Sequence, residues 1–241
     1  MTDPEVLDRA SVPELLEFLT SEVPRERADA ACALGDRLRC HEVSTLDPPV
    51  IEAMAALLED PVFPVRLEAA IALAEARDQR ATDFLLEAIR YRSVRLDAIR
   101  ALGTLGDPRA VPPLSALMSR WLLPWADRLQ AAAALCALGD GRGADYLAEK
   151  LGKRRRSERA AAIHFIGESR HPDALRILGD LYRNPHEPMR DVAARALGLL
   201  RSAEARKILE SERPRLEDEL AEDVDAAIAQ CQISDGNPST P

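Results

Sequence analysis

VRLDAIRALGTLGDPRAVPPLSALM, residues 94–118, reads as helix, tight turn, helix. Val94, Ala98, Ile99, Ala101, Leu102 and Leu105 recur at helical spacing, so they form one apolar stripe. Asp97, Arg100 and Thr104 fall largely off it. Gly106 supplies a helix stop, and Asp107-Pro108 forms a turn that opens a second helix. Pro112 and Pro113 are tolerated only in that helix's first turn, where the missing N–H has no intrahelical acceptor anyway. Leu114, Leu117 and Met118 then give the second helix its own apolar face. A hairpin this short cannot bury both faces alone and needs neighbours.

The neighbours are further copies of the same unit. With Arg95 as position zero, Arg27, Arg66, Arg128, Arg159 and Arg190 stand in the same role, at successive spacings of 39, 29, 33, 31 and 31. Three residues on from each arginine lies Ala30, Ala69, Ala98, Ala131, Ala162 or Ala193. Seven on lies Leu34, Leu73, Leu102, Leu135, Ile166 or Leu197, and eight on lies Gly35, Ala74, Gly103, Cys136, Gly167 or Gly198. A period near 30 means a solenoid or array. Positions 0, 3, 4 and 7 share a helical face, so small residues there let equivalent helices approach closely. An arginine on that stripe needs a partner. The aspartates twelve residues on, Asp78, Asp107 and Asp140, are the expected partners, reaching from one repeat to the next as a structural ladder. Where His171 or Ser202 takes that place, turn carbonyls are the expected substitutes.

The ends read as caps. Residues 10–19, ASVPELLEFL, match a second helix alone, and residues 217–231 match a first helix with an acidic outer face. Residues 37–47 form an insertion in the first full repeat. The expected architecture is all-α, an α-solenoid of about six helical hairpins with half-repeat caps, forming one domain over residues 1–233. The tail from Ser234, SDGNPSTP, is expected to be disordered.

Composition narrows the function classes. The chain is 46% hydrophobic but only 4% aromatic, which favours close-packed Ala/Leu helices over sheet. A net charge of −9 argues against bulk nucleic-acid binding and against adhesion to anionic membranes. MTDPEVLDRA has no signal-peptide pattern, and no apolar run approaches the ~18 residues of a membrane span. The four cysteines are dispersed without a C-x-x-C, as expected of reduced thiols in a cytoplasmic protein.

The unit V-R-x-x-A-x-x-A-L-G-x-L-G-D-P-R-A-V-P-P-L resembles the short HEAT-like repeat of the phycobilisome-lyase type, over about residues 10–231. That superfamily includes bilin lyases, a metal-dependent hydroxylase, alkylpurine DNA glycosylases and many adaptors without chemistry. The hydroxylase resemblance would require His-Glu pairs just after position zero. Those places read Ala28-Asp29, Leu67-Glu68, Leu96-Asp97, Leu129-Gln130, Ala160-Ala161 and Asp191-Val192. The existing His41-Glu42 and His186-Glu187 fall in loops. The glycosylase resemblance would rest on Trp121, Trp125 and Asp127, without a basic groove around them. A bilin lyase would need a tetrapyrrole pocket that no residue marks. No Ser-His-Asp or Cys-His arrangement and no phosphate loop is found, so no catalytic residue, cofactor or metal is expected.

Two stretches break the repeat. RWLLPWADR, residues 120–128, holds both tryptophans of the chain, with Leu122 and Leu123 between them. It either covers the edge of the helix stack or presents an aromatic anchor, since Trp is enriched at binding hot spots. KLGKRRRSER, residues 150–159, gathers Lys150, Lys153, Arg154, Arg155, Arg156 and Arg159. It is either a solvated loop or an electrostatic docking site for an acidic protein, with nucleic acid less favoured. The candidate partner-binding residues are therefore Trp121, Leu122, Trp125, Lys153, Arg154, Arg155 and Arg156. The function expected is protein binding as an adaptor or scaffold, with a bilin lyase or isomerase and a nucleic-acid binder as alternatives.

Overall fold

The computed structural model describes residues 9–40, 42–152, 155–169, 171–213 and 218–232. All regular elements among them are helical, and the fold class is all-α, of the α-solenoid type. A lone helix α1 (Val12–Phe18) precedes the first hairpin, α2 (Pro24–Arg39) and α3 (Pro48–Ala56). Next come α4 (Phe63–Glu75) with α5 (Thr82–Ala88), then α6 (Arg95–Leu105) with α7 (Val111–Ser119). The later hairpins are α8 (Trp125–Ala137) with α9 (Gly141–Leu151), α10 (Arg156–Glu168) with α11 (Ala174–Arg183), and α12 (Arg190–Leu199) with α13 (Ala203–Glu212). A closing helix α14 spans Asp218–Gln232. The expected insertion is shorter than its sequence suggests, because α2 continues through Arg39. The tail after Ser234 lies outside the described residues.

The chain divides into two compact units, Met1–Leu114 and Ser115–Pro241. In the first, α2, α4 and α6 stack in sequence; in the second, α8, α10, α12 and α14 do. Ala30, Ala69, Ala98, Ala131, Ala162 and Ala193 are completely buried, as are Leu34, Leu73, Leu102, Leu135, Ile166 and Leu197. The small residues one place further on set the spacing. Gly35 lies against Ala72, Gly167 against the Ala196 backbone and Gly198 against Ala227. These pairs join matching ends of neighbouring first helices, so the first helices within each unit run parallel.

That parallel stacking overturns the expected arginine–aspartate ladder. Position 12 lies about 18 Å along the helix from position zero at 1.5 Å per residue. The aspartates therefore sit at the end opposite the arginines. Asp78, Asp107 and Asp140 instead open the second helix of their own hairpin, accepting from the backbone N–H of Arg80, Arg109 and Arg142 at 3.0, 2.9 and 3.0 Å. Each also pairs with that arginine's guanidinium, at 2.6, 2.8 and 2.5 Å. His171 and Ser202 do the same capping job, His171 Nδ1 for the Asp173 N–H and Ser202 Oγ for the Ala205 N–H.

The position-zero arginines turn back to the end of the preceding helix or the loop after it. Arg95 Nε donates to the Ile89 carbonyl, Arg159 Nε to Leu151 and Arg190 Nε to Tyr182, each at 2.8 Å. Arg27 Nη1 reaches the Ser21 carbonyl and Arg66 Nη1 the Asp60 carbonyl, at 2.7 and 2.6 Å. Arg128 differs, because its Nε is buried without a hydrogen-bond partner. Where a carboxylate does join, it comes from the next inter-repeat loop. Asp60 meets Arg27 Nε at 2.7 Å, and Glu187 meets Arg159 Nη2 at 2.7 Å.

Candidate functional site

The loop between α7 and α8 is a tight turn. Leu123 N–H donates to the Arg120 carbonyl at 3.0 Å, which places Trp121 and Leu122 at the two central positions. Central residues of such a turn point away from the chain that closes it. Trp121 is 78% exposed and Leu122 75% exposed, far more than any other large apolar side chain described. Pro124 then caps α8, and Trp125 occupies the first helical position, half-buried. The two tryptophans thus separate. Trp121 is presented to solvent, whereas Trp125 is half-buried at the start of α8.

The loop between α9 and α10 lies at the same end of the second unit, because α8 and α10 pack together and run parallel. Arg155 is the N-terminal cap of α10 and Arg156 its first residue; both are exposed. Lys153 and Arg154 lie outside the described residues. Lys150 does not belong to this basic surface. It is buried, with its Nζ 4.1 Å from the centre of the Tyr146 ring and 3.1 Å from Glu149. Arg159 is held by Leu151 and Glu187, as described above.

Several contacts escaped the sequence reading. Glu75, on α4, accepts Arg100 at 2.6 Å and Arg39 at 3.8 Å, so a buried carboxylate ties together α2, α4 and α6. A groove of about 350 Å³ lies beside Phe63, Phe84 and Tyr91, with the Arg66 guanidinium over the two phenylalanine rings at 5.6 and 5.8 Å. Phe63 was visible in principle, because it stands three residues before Arg66, as Trp125 does before Arg128. A second groove, of about 380 Å³, runs between α2 and α4 and is lined by Cys32, Asp29 and Glu68. Burial, with Glu68 beside it, pushes the Cys32 thiol up to about 11, and burial also raises Glu68. That thiol is protonated at neutral pH, unlike an activated nucleophile. Among the described residues, no group of three or more metal-ligating side chains forms. Likewise, no described helix is long and apolar enough to cross a membrane.

The HEAT repeats profile matches residues 12–93, 51–136, 122–198 and 144–231. No curated protein sequence matches. Among solved structures, the chain is similar to the complex of CpcE and CpcF of phycocyanin lyase from Nostoc sp. PCC7120, with 19% identity, 92% of this chain and 95% of that chain covered, and a TM-score of 0.55. It is also similar to human deoxyhypusine hydroxylase, with 18% identity, 95% and 98% covered, and a TM-score of 0.40.

Proposed function

This chain belongs to the HEAT-repeat family, and we propose that it is a non-enzymatic adaptor or scaffold that binds another protein through its inter-repeat loops. One observation carries this reading: Trp121 and Leu122 project from a closed turn at 78% and 75% exposure. Holding a Trp and a Leu in water gives the isolated chain nothing, because their apolar area contributes only when covered. A turn closed by the Leu123 N–H to Arg120 carbonyl hydrogen bond also loses little conformational freedom on binding, so most of the covered area counts toward affinity. Arg155 and Arg156, at the start of α10, belong to the same proposed surface.

The test is affinity capture from the native cell, comparing the wild-type chain with Trp121→Ala/Leu122→Ala. Both side chains are exposed, so the variant keeps its helical circular dichroism and its stability to within about 0.5 kcal/mol. The partner band disappears. Equal recovery by the two proteins sinks the proposal. The bilin-lyase reading draws on fold likeness to the phycocyanin lyase complex, which at 19% identity speaks for fold alone. Co-expression with bilin and an apo-phycobiliprotein separates the two readings, since only a lyase yields a coloured covalent adduct.

A further inference from the structure

We infer that the surface around Trp121 takes an extended acidic segment of a partner protein, in which a bulky apolar residue lies about three residues from a carboxylate. The inference rests on the adaptor reading and adds the chemistry of the partner. Arg120, Arg155 and Arg156 are all exposed, and among the described residues none of them pairs with a carboxylate. This is a chain with 41 acidic residues against 32 basic ones. Some exposed arginines elsewhere are paired, as Arg80, Arg109, Arg142 and Arg195 are, and others such as Arg90, Arg92 and Arg201 pair with no described carboxylate, but only here, among the described residues, do such arginines stand at the same edge as an exposed Trp and Leu. Three unanswered arginines therefore make a local positive field on an otherwise acidic molecule.

Two features place that field beside the apolar turn. The helices α8 and α10 both begin at this edge, and the one carboxylate in each first turn, Asp127 and Glu158, is buried, so the exposed charge there is that of the arginines. Adjacent packed helices lie about 8–10 Å apart, and an extended chain advances about 3.3 Å per residue. The starts of α8 and α10 are thus about three extended residues apart, which sets the scale for a peptide reaching from the turn that leads into α8 to Arg155 and Arg156.

Arg128 supports the same conclusion. Five other position-zero arginines donate to a carbonyl at the end of the preceding helix or in the loop after it, whereas Arg128 Nε, after the turn at 120–124, is buried and unanswered. A buried donor without an acceptor costs about 1–3 kcal/mol in a native protein and calls for an explanation outside self-stability. The turn's conformation serves the display of Trp121 and Leu122 at the expense of the ladder. A single nucleic-acid strand, the competing occupant, needs a basic groove that follows several phosphates. Here the described basic groups are confined to two loop ends, which suits a peptide carrying one or two carboxylates.

The experiment uses the full chain and three fluorescent probes in anisotropy titrations. They are a short peptide with a Leu-Phe pair and glutamates three residues away, the same peptide with glutamine for glutamate, and oligo-dT. The glutamate peptide binds at least about tenfold more tightly than the glutamine peptide, and raising salt from about 50 to about 300 mM weakens it. Arg155→Glu/Arg156→Glu abolishes that preference. Acidic residues at a helix N-terminus favour the helix, so α10 survives the reversal. Equal binding of the two peptides, no effect of the reversal, or tighter binding of oligo-dT each overturns the inference. If Trp121→Ala/Leu122→Ala still loses the native partner while the charge reversal does not, the adaptor reading stands and this inference alone falls. If neither variant affects capture, both fall.

Discussion

Asp60 and Glu187 each serve two neighbours with one carboxylate. Asp60 Oδ2 takes Arg27 Nε while Oδ1 accepts the Val62 N–H at 2.8 Å; Glu187 Oε2 takes Arg159 while Oε1 accepts the Met189 N–H at 3.1 Å. One group thus ties the first turn of a helix to the arginine of the preceding repeat. The Asp60 and Arg27 side chains are only 6% and 13% exposed, so removing the acid strands a buried guanidinium. Asp60→Ala is expected to cost about 3 kcal/mol in urea unfolding, whereas loss of a surface pair such as Arg25–Asp29 stays within about 0.5 kcal/mol. The capping aspartates set the acid limb of stability. Arg80 and Arg142 hold Asp78 and Asp140 below the usual carboxylate value; at Asp107 burial pushes upward, but Arg109 and Thr82 outweigh it. Folded values lie below unfolded ones, so this contribution is complete above about pH 4 and is lost as pH falls through the folded values. Urea midpoints measured against pH should show that acid loss, and Asn at all three positions should flatten it. At Cys32 the direction reverses. Its thiol, raised to about 11, should alkylate slowly at neutral pH and faster as pH climbs toward that value, with exposed Cys40 labelled first. Rapid neutral labelling of Cys32, read by mass spectrometry, would contradict the burial argument.

At the scale of the helices, two repeat positions have strict geometric demands. Position 11 after Arg66, Arg95, Arg128 and Arg190 turns left-handed. Gly106 and Gly139 adopt φ of 80°, while Arg77 and Arg201 hold φ of 58° and 46° with full side chains. A left-handed conformation costs a non-glycine residue about 1–2 kcal/mol. Arg77→Gly should therefore stabilise by a net of about 0.5–1 kcal/mol once glycine's greater unfolded freedom is subtracted, read as a higher thermal midpoint. A lower midpoint would mean that the Arg77 side chain contributes more than its backbone strain costs. Position 8 is the second demand. A Cβ on Gly167 would lie 2.4 Å from the Ala196 carbonyl oxygen, a backbone atom that cannot swing aside. Gly167→Ala is expected to destabilise by about 1–3 kcal/mol. These demands were legible from Arg95, Ala98, Leu102 and Gly103, because helical period alone tells which side chains share a face. The partners of the arginines were not. Choosing between Asp107, at the far end of the helix, and a loop carbonyl such as Ile89 requires the direction of the neighbouring helix. No single helix's periodicity contains that direction. Trp121 and Trp125 looked alike in sequence for a related reason: only the Arg120–Leu123 hydrogen bond exposes one, and only the start of α8 half-buries the other.

For the molecule as a whole, the repeat makes stability a sum of neighbour terms, because each hairpin touches chiefly the next. The division between Leu114 and Ser115 lets the spread of a local injury be followed in each unit by itself. Within the second unit, α10 packs on α8, α9, α11 and α12, so strain at Gly167 enters all of them directly. In the first unit, α2, α4 and α6 are cross-linked by their own Arg39–Glu75–Arg100 cluster and their own alanine stripe. Hydrogen exchange followed by mass spectrometry on Gly167→Ala should therefore show loss of protection in α8 through α12, while peptides from α2 and α4 keep wild-type rates. Proportionate loss along the whole chain would show instead that the two units open as one cooperative body. The same measurement bears on the binding surface. The Trp121 turn and the start of α10 both lie in the second unit, so destabilising that unit should weaken partner capture even with every side chain of the surface intact. An equal destabilisation placed in the first unit, through Asp60→Ala, should leave capture at wild-type strength. If both variants lose the partner equally, the binding surface extends beyond the edge formed by α8 and α10.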